Sequence, residues 1–257
     1  MRFSGRLRSH HYRAPKAFYQ LVKTLATTSA TSVPTVNKKP PSAAAKAPKA
    51  PKARATREQL EHDILDAAKK LFAQRGYGGV SLDHIATAVG ASKQNLLYYF
   101  PSKEALYRRV LHGVLDVWLL YMDNLSQRQD DPELALREYI AGKLRFSRER
   151  PDDSRVYANE VLSGAPIFAA EIAERVVPSL QADVAIFNRW AEQGTCRPVD
   201  GQHLMILLWA STQVYADWAS QISLVLGKPA LEAQDFANAE SLIVDMVLRT
   251  VLVPAAR

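Results

Sequence analysis

Cysteine is all but missing from this chain: Cys196 is the one thiol in 257 residues. A single thiol closes no internal disulfide and completes no multi-cysteine metal site, so a disulfide-stapled domain and a zinc finger are excluded. A reducing, intracellular setting fits that usage. Long apolar runs are missing as well. No stretch of about 18 residues escapes charge and polarity, which excludes a transmembrane helix. No G-x-S-x-G, P-loop or Rossmann glycine pattern occurs, and the six histidines are scattered. Glu58, His62 and Asp66 fall on one face of the first expected helix, where they read as a solvated charged face rather than as metal ligands. Cys196, beside Arg197, reads as an incidental thiol. The expectation is therefore no catalytic residue, no metal, no cofactor and no enzyme.

Acid is absent from the first 57 residues, which hold 13 of the 33 Lys+Arg. The remainder carries 20 basic and all 26 acidic residues, so the formal charge of +7 belongs to the N-terminal segment. Such asymmetry points to a basic arm that lies on nucleic acid. Ala26–Arg57 has no aromatic residue and is dominated by Ala, Pro, Lys, Thr and Ser. It buries too little apolar area to offset the entropy of ordering, so residues 1–55 are expected as a disordered basic tail. Met1–Thr24 is Arg-rich and acid-free, with Tyr12, Phe18 and Tyr19. Three readings stay open for it: residues appended by an upstream start codon, an electrostatic arm for DNA, or a targeting segment.

From Thr56 the periodicity is helical. Thr56 and Gln59 fit a capping box, and Leu60, Ile64, Ala67, Ala68, Leu71 and Phe72 recur at helical spacing. Gly76, Gly78 and Gly79 stop that helix. Ser81 offers the next N-cap, with Leu82, Ile85, Ala86 and Val89 on one face. Gly90 ends this helix, and Ser92 caps a third whose apolar members are Leu96, Leu97 and Phe100. A fourth, long helix carries Leu106, Val110, Val114, Val117, Trp118 and Tyr121.

The pair 81–89 and 92–99, separated by Gly90 and Ala91, has helix-turn-helix spacing. The outward positions of its second helix are Lys93, Gln94, Asn95, Tyr98 and Tyr99. Gln and Asn read adenine edges, and Lys and Tyr suit guanine or phosphate. Spacing alone leaves a solvated helical corner equally open.

The run Ile64-Leu-Asp-Ala-Ala-Lys-Lys-Leu-Phe72, with Gly76-Tyr77, Ser81-Leu-Asp-His-Ile-Ala86, Val89-Gly-Ala-Ser-Lys93 and Leu97-Tyr-Tyr-Phe-Pro-Ser-Lys-Glu-Ala-Leu-Tyr107, resembles the DNA-binding domain of the TetR family of transcriptional repressors. The resemblance implies an all-α chain. A three-helix helix-turn-helix domain at 56–103 would join, through the long fourth helix, a helical effector-binding and dimerisation domain at 104–253. Ser81, Ser92, Lys93, Gln94, Asn95, Tyr98, Tyr99 and Lys103 stand where such repressors touch a double-stranded DNA operator. Gln94 and Asn95 are the candidates for base edges, Tyr98 for phosphate. Lys103, just past an N-cap at Ser102, would clamp phosphate with the helix N-terminus. Tyr99 has the core as its alternative place, and Leu96, Leu97 and Phe100 belong to the core. Gly164-Ala-Pro166 and the run Trp209–Gln221 further resemble the RutR-type branch of the family, regulators of pyrimidine use.

Pro132 opens a helix to about Arg150, Pro151 restarts the chain, and Ser154–Ser163 reads as the next helix. Pro166 starts another that Pro178 splits, with Val176, Leu180, Val184 and Phe187 on its stripe. Residues 201–226 read as one long helix, apolar on several sides and therefore buried on several sides. Residues 231–253 end in an amphipathic helix carrying Phe236, Ala239, Leu242, Ile243, Met246, Val247 and Val251. The resemblance implies a homodimer through 201–226 and 231–253. The effector pocket is expected between the fourth helix and residues 154–220. Trp118, Trp209 and Gln213 lead its candidates, followed by Asn159, Thr212 and Tyr215, and core or dimer interface is the alternative for each Trp. A planar pyrimidine such as uracil or thymine would stack on indole and pair with the Gln213 amide. An unrelated hydrophobic effector is the rival. A different class of function, a nucleoid-associated protein driven by the basic tail, is also open. A bacterial cytoplasmic location, with no membrane partner, completes the reading.

Overall fold

The computed structural model describes residues 51–122 and 124–253. The reading of residues 1–50 as tail lies outside them. Among the described residues the regular structure is helical, as expected, with one isolated antiparallel bridge between Cys196 and Leu252. No helix there is long and apolar enough to cross a membrane.

Helix α1 spans Pro51–Arg75. It begins ahead of the expected cap, so Thr56 lies inside the helix and the last five residues of the expected tail are helical. The reason is local: Pro51 suits a first helical position, and Ala, Lys and Arg are strong helix formers. Gln59, freed from capping, donates from Nε2 to Asp63 Oδ1 at 2.9 Å.

Helices α2 (Leu82–Ala88) and α3 (Lys93–Tyr99) start where the sequence places them. Ser81 Oγ accepts from the His84 N–H at 3.2 Å, and Ser92 Oγ from the Asn95 N–H at 3.1 Å. Between them Gly90 sits at φ +66°, a left-handed conformation that an L side chain would strain. Gly79 is needed for a different reason: a Cβ there would meet the Arg75 carbonyl oxygen at 2.4 Å.

Ile64, Ala68, Phe72, Ile85, Ala86, Leu96 and Phe100 are buried together beneath α4 (Lys103–Met122), which contributes Leu106 and Tyr107. The Phe72 and Tyr107 rings meet edge to face at 4.8 Å. Full burial of a Phe72-sized side chain contributes about 2–3 kcal/mol. Leu97, expected in this core, is 37 % exposed. Seven residues make two turns, and Leu96 and Phe100 already fill the inward stripe.

Beyond a short α5 (Asn124–Gln127) come α6 (Pro132–Glu149), capped by Asp131, and α7 (Pro151–Leu162). A short α8 (Ala169–Glu171) runs through a π turn, Ile172–Val176, into α9 (Val177–Glu192). Pro178 lies in the first turn of α9, just after the π turn, so the expected interruption of this stretch is a change of helical winding beside the proline and not a gap in the helix. The expected helix 201–226 is broken into α10 (Gly201–Asp217) and α11 (Ala219–Val225). Arg155 of α7 donates its Nε–H to the Ala216 carbonyl at 3.0 Å, taking the acceptor a continuing helix would need. The chain ends in α12 (Ala233–Val251), capped reciprocally by Glu232 and Asp235.

Candidate functional site

Helix α3 presents Ser92, Lys93, Gln94, Asn95 and Tyr98 to solvent, with Leu96 buried beneath them. The Tyr98 ring is 64 % exposed. Ser81 is half-buried and its hydroxyl is engaged in capping α2. Tyr99 is half-buried against the core and meets Tyr98 edge to face at 5.4 Å, so packing is its observed place. Lys93 Nζ lies 2.8 Å from Asp83 Oδ2 across the turn, both side chains more than half exposed. Such a surface pair is worth about 0–1 kcal/mol and opens readily.

Two placements differ from the sequence reading or were missed by it. Lys103 does not stand free beside its helix N-terminus. Its Nζ donates to the carbonyls of Tyr77 and Val80 at 2.7 and 2.9 Å and lies 4.1 Å from the centre of the Tyr77 ring. The ammonium latches the loop between α1 and α2, because those carbonyls lack helical partners. Ser102, by contrast, does cap α4, accepting from the Ala105 N–H at 3.0 Å. The missed residue is Arg57, whose guanidinium lies 4.8 Å over the Tyr98 ring and 5.7 Å from that of Tyr99. Its signal was its place at the end of the acid-free stretch, next to the helix-turn-helix.

The expected effector residues divide into two groups. Trp118 of α4 and Trp209 of α10 do come together, edge to face at 5.2 Å, and Tyr157 of α7 stacks on Trp118 at 6.0 Å. Trp209 Nε1 donates to the Tyr139 hydroxyl at 2.8 Å. Burial raises the pKa of both Tyr139 and Tyr157, so both phenols stay protonated. Gln213, one turn beyond Trp209, is half-buried. The others lie elsewhere. Asn159 Nδ2 donates to the carbonyls of Phe72 and Ala73 in α1, at 3.3 and 3.2 Å. Thr212 Oγ1 is spent on the Leu208 carbonyl of its own helix at 2.7 Å. Tyr215 turns toward Phe236 of α12, ring centres 5.8 Å apart.

Lys143 of α6 was not anticipated. Its side chain is fully buried and its Nζ lies 4.3 Å from the centre of the Trp118 ring. Neither Lys143 Nζ nor Trp118 Nε1 has a hydrogen-bond partner among the described residues. Burial brings the lysine pKa down to about 7, against a weaker opposing pull from Asp217.

Helix α7 carries this cluster toward α1. Besides Tyr157 and Asn159 it holds Asp153, whose Oδ1 pairs with Lys69 Nζ at 2.8 Å. Burial works against the Lys69 charge, but the hydrogen bond and charge of Asp153 outweigh it and keep its pKa raised. Glu160 accepts the backbone N–H groups of Ile167 and Phe168 at 2.7 and 2.9 Å. Burial, together with the charge and hydrogen bond of Glu160, raises the pKa of Tyr107 in α4. Among the described residues no three His, Cys, Asp or Glu side chains are grouped to hold a metal. His62 and Asp66 meet only as an exposed pair at 3.6 Å.

Residues 64–110 match the family model described as bacterial regulatory proteins, tetR family. Residues 111–254 match the one described as YcdC-like protein, C-terminal region. The HTH-type transcriptional regulator RutR of Escherichia coli K12 is 44% identical over 165 residues, 64% of this chain and 77% of that protein. The HTH-type transcriptional repressor NicS of Pseudomonas putida is 32% identical over 105 residues, 41% of this chain and 50% of that one. Among solved structures, the ketosteroid transcriptional regulator KstR2 of Mycobacterium tuberculosis superposes with a TM-score of 0.61 at 21% identity, over 76% of this chain and 95% of that one. A regulator from Marinobacter aquaeolei gives a TM-score of 0.55 at 22% identity, over 75% and 97%. At such identities the two structures carry the fold alone.

Proposed function

Because this chain belongs to the TetR family of bacterial regulatory proteins, we propose that it is a repressor that releases its operator when a small planar effector, a pyrimidine such as uracil or thymine, enters the Trp118–Trp209 cluster. The carrying observation is the outward face of α3, where amide, ammonium and phenol groups stand exposed over a buried Leu96. Gln94 and Asn95 read base edges, while Ser92, Tyr98 and Lys93 hold phosphates once Lys93 leaves Asp83. Arg57 adds positive charge next to Tyr98. Ser81, Tyr99 and Lys103 support the interface by capping, packing and latching.

Family members form dimers, and this chain exposes apolar side chains where a partner would seat. Ile206 and Leu207 on α10 and Leu242 and Met246 on α12 are 46–64 % exposed. Phe236, Ala239, Val244, Val247 and Val251 of α12 are buried within the chain. A two-fold dimer through α10, α11 and α12 would set two α3 helices on successive turns of one DNA face. Residues 56–103 and 104–253 are the proposed DNA-binding and effector domains, working on bacterial cytoplasmic DNA.

Support for the effector lies in the two rings gathered on Trp118, those of Trp209 and Tyr157, with Gln213 one turn from Trp209. Entry of a ring there would part Trp118 from Tyr157 and shift α7 against α1. To empty an operator the effector must favour the shifted state by several kcal/mol. The test is a melting curve and an operator titration with and without saturating uracil. A raised melting temperature and at least tenfold weaker operator binding are expected. No change in either would remove the pyrimidine reading.

A further inference from the structure

Buried lysines without an acceptor are rare, because an unpaired ammonium in the protein interior loses its hydration with nothing to replace it. Lys143 is such a case: fully buried, with no hydrogen-bond partner among the described residues. Its contact with the Trp118 ring face at 4.3 Å offsets part of that cost. Asp217 acts on it through space, but the Asp217 Oδ1 is taken by the Ser154 hydroxyl at 2.7 Å. The adjacent Trp118 Nε1 is a second buried donor with no acceptor. Two donors left unmatched side by side, against the aromatic rings of the proposed effector site, are a feature no packing requirement explains. A methionine would fill the lysine's volume without the desolvation.

Resting on the effector reading above, we infer that Lys143 and the Trp118 indole N–H are the polar half of that site, and that they select planar rings bearing carbonyl or carboxylate acceptors over purely apolar rings of the same size. The rings supply stacking that any flat molecule would enjoy. The ammonium and the indole N–H supply discrimination, since a ligand without acceptors leaves both donors unmatched when it closes the site. Binding would also restore to the lysine a partner for its charge. With the pKa of Lys143 near 7, part of the free protein is deprotonated at pH 7.5, so an acceptor-bearing ring draws in a proton as it binds.

The test uses the full chain, as wild type, Lys143→Met and Trp118→Phe, with uracil, benzoate and toluene as probes in calorimetry and thermal melting. Uracil is expected to bind wild type with proton uptake at pH 7.5, and Lys143→Met roughly 10- to 100-fold more weakly and without uptake. Trp118→Phe keeps an aromatic ring without the N–H and is expected to lose affinity by about tenfold, with its melting curve in the absence of ligand checking its fold. Toluene should prefer Lys143→Met to wild type. Uracil binding that is equally tight to Lys143→Met overturns the inference and leaves the pyrimidine reading intact. Lys143-dependent binding of benzoate, with none of uracil, upholds the inference and removes the pyrimidine. Stabilisation of wild type by toluene alone, or by none of the three, overturns both.

Discussion

Asn159 of α7 donates to the last inward carbonyls of α1, Phe72 and Ala73, from only two residues beyond the Tyr157 ring that stacks on Trp118. One short helix thus touches both the aromatic cluster and the helix that carries the DNA-binding core. The fourth helix, the link expected from the sequence, shares this task with α7. Asn159→Ala should cost about 1–2 kcal/mol in stability from the lost hydrogen bonds. It should also shrink the ratio of operator affinities without and with effector several-fold, while effector affinity changes little. Paired titrations of effector and operator check both.

Lys93 and Lys103 should separate cleanly. Lys93 is an exposed cation held by a weak pair, so Lys93→Ala should lower the salt slope of operator binding by about one unit. Lys103 is engaged by Tyr77 and Val80, so Lys103→Ala should leave that slope unchanged. It should instead destabilise the fold by about 1–3 kcal/mol through the unsatisfied carbonyls. Denaturant melts and salt titrations of both variants decide the matter.

Lys143 gives a pH signature. Its folded pKa of about 7 lies below the usual 10.5, so between those values the unfolded chain binds a proton that the folded chain does not. Stability conferred by this group therefore rises with pH across that window, and its full cost is felt below about pH 7. Against Lys143→Met, which titrates nothing there, wild type should gain roughly 2–3 kcal/mol between pH 6.5 and 9.5. Urea melts at a series of pH values measure the difference. A constant gap would mean the lysine keeps its ordinary pKa in the folded chain.

The acid-free N-terminal segment separates the two classes of function. Deleting residues 1–50 should lower affinity for all DNA at low salt yet keep discrimination for the operator. A tail-driven coating protein would lose nearly all binding at physiological salt. Competition between operator and random duplex, before and after deletion, distinguishes them.

The DNA-reading half was legible because its signals are local. Ser81, Ser92 and Gly90 act within four residues of themselves, and Leu96 and Phe100 follow one helical period. What could not be read depended on distant partners. Lys103 finds carbonyls 26 and 23 residues earlier, and Asn159 finds them 86 and 87 residues away. At the break between α10 and α11 an arginine from another helix satisfies the Ala216 carbonyl, a contact that no pattern within 201–226 encodes. Lys143 did leave a trace. It lies four residues after Tyr139, three after Ile140 and three before Phe146, all buried, so it interrupts an apolar stripe instead of flanking it.

The proposed function stands on α3 docking by its Gln94–Asn95–Tyr98 face into duplex DNA, twice per dimer. Chemical footprinting of the selected operator, base by base, with wild type and with the Gln94→Ala and Asn95→Ala variants, tests it most directly. Two protected half-sites related by a two-fold axis, a whole number of helical turns apart, are expected, with protection of a particular base pair in each half lost in each variant. Footprints that are unchanged in both variants, or a single protected stretch without two-fold symmetry, would contradict it.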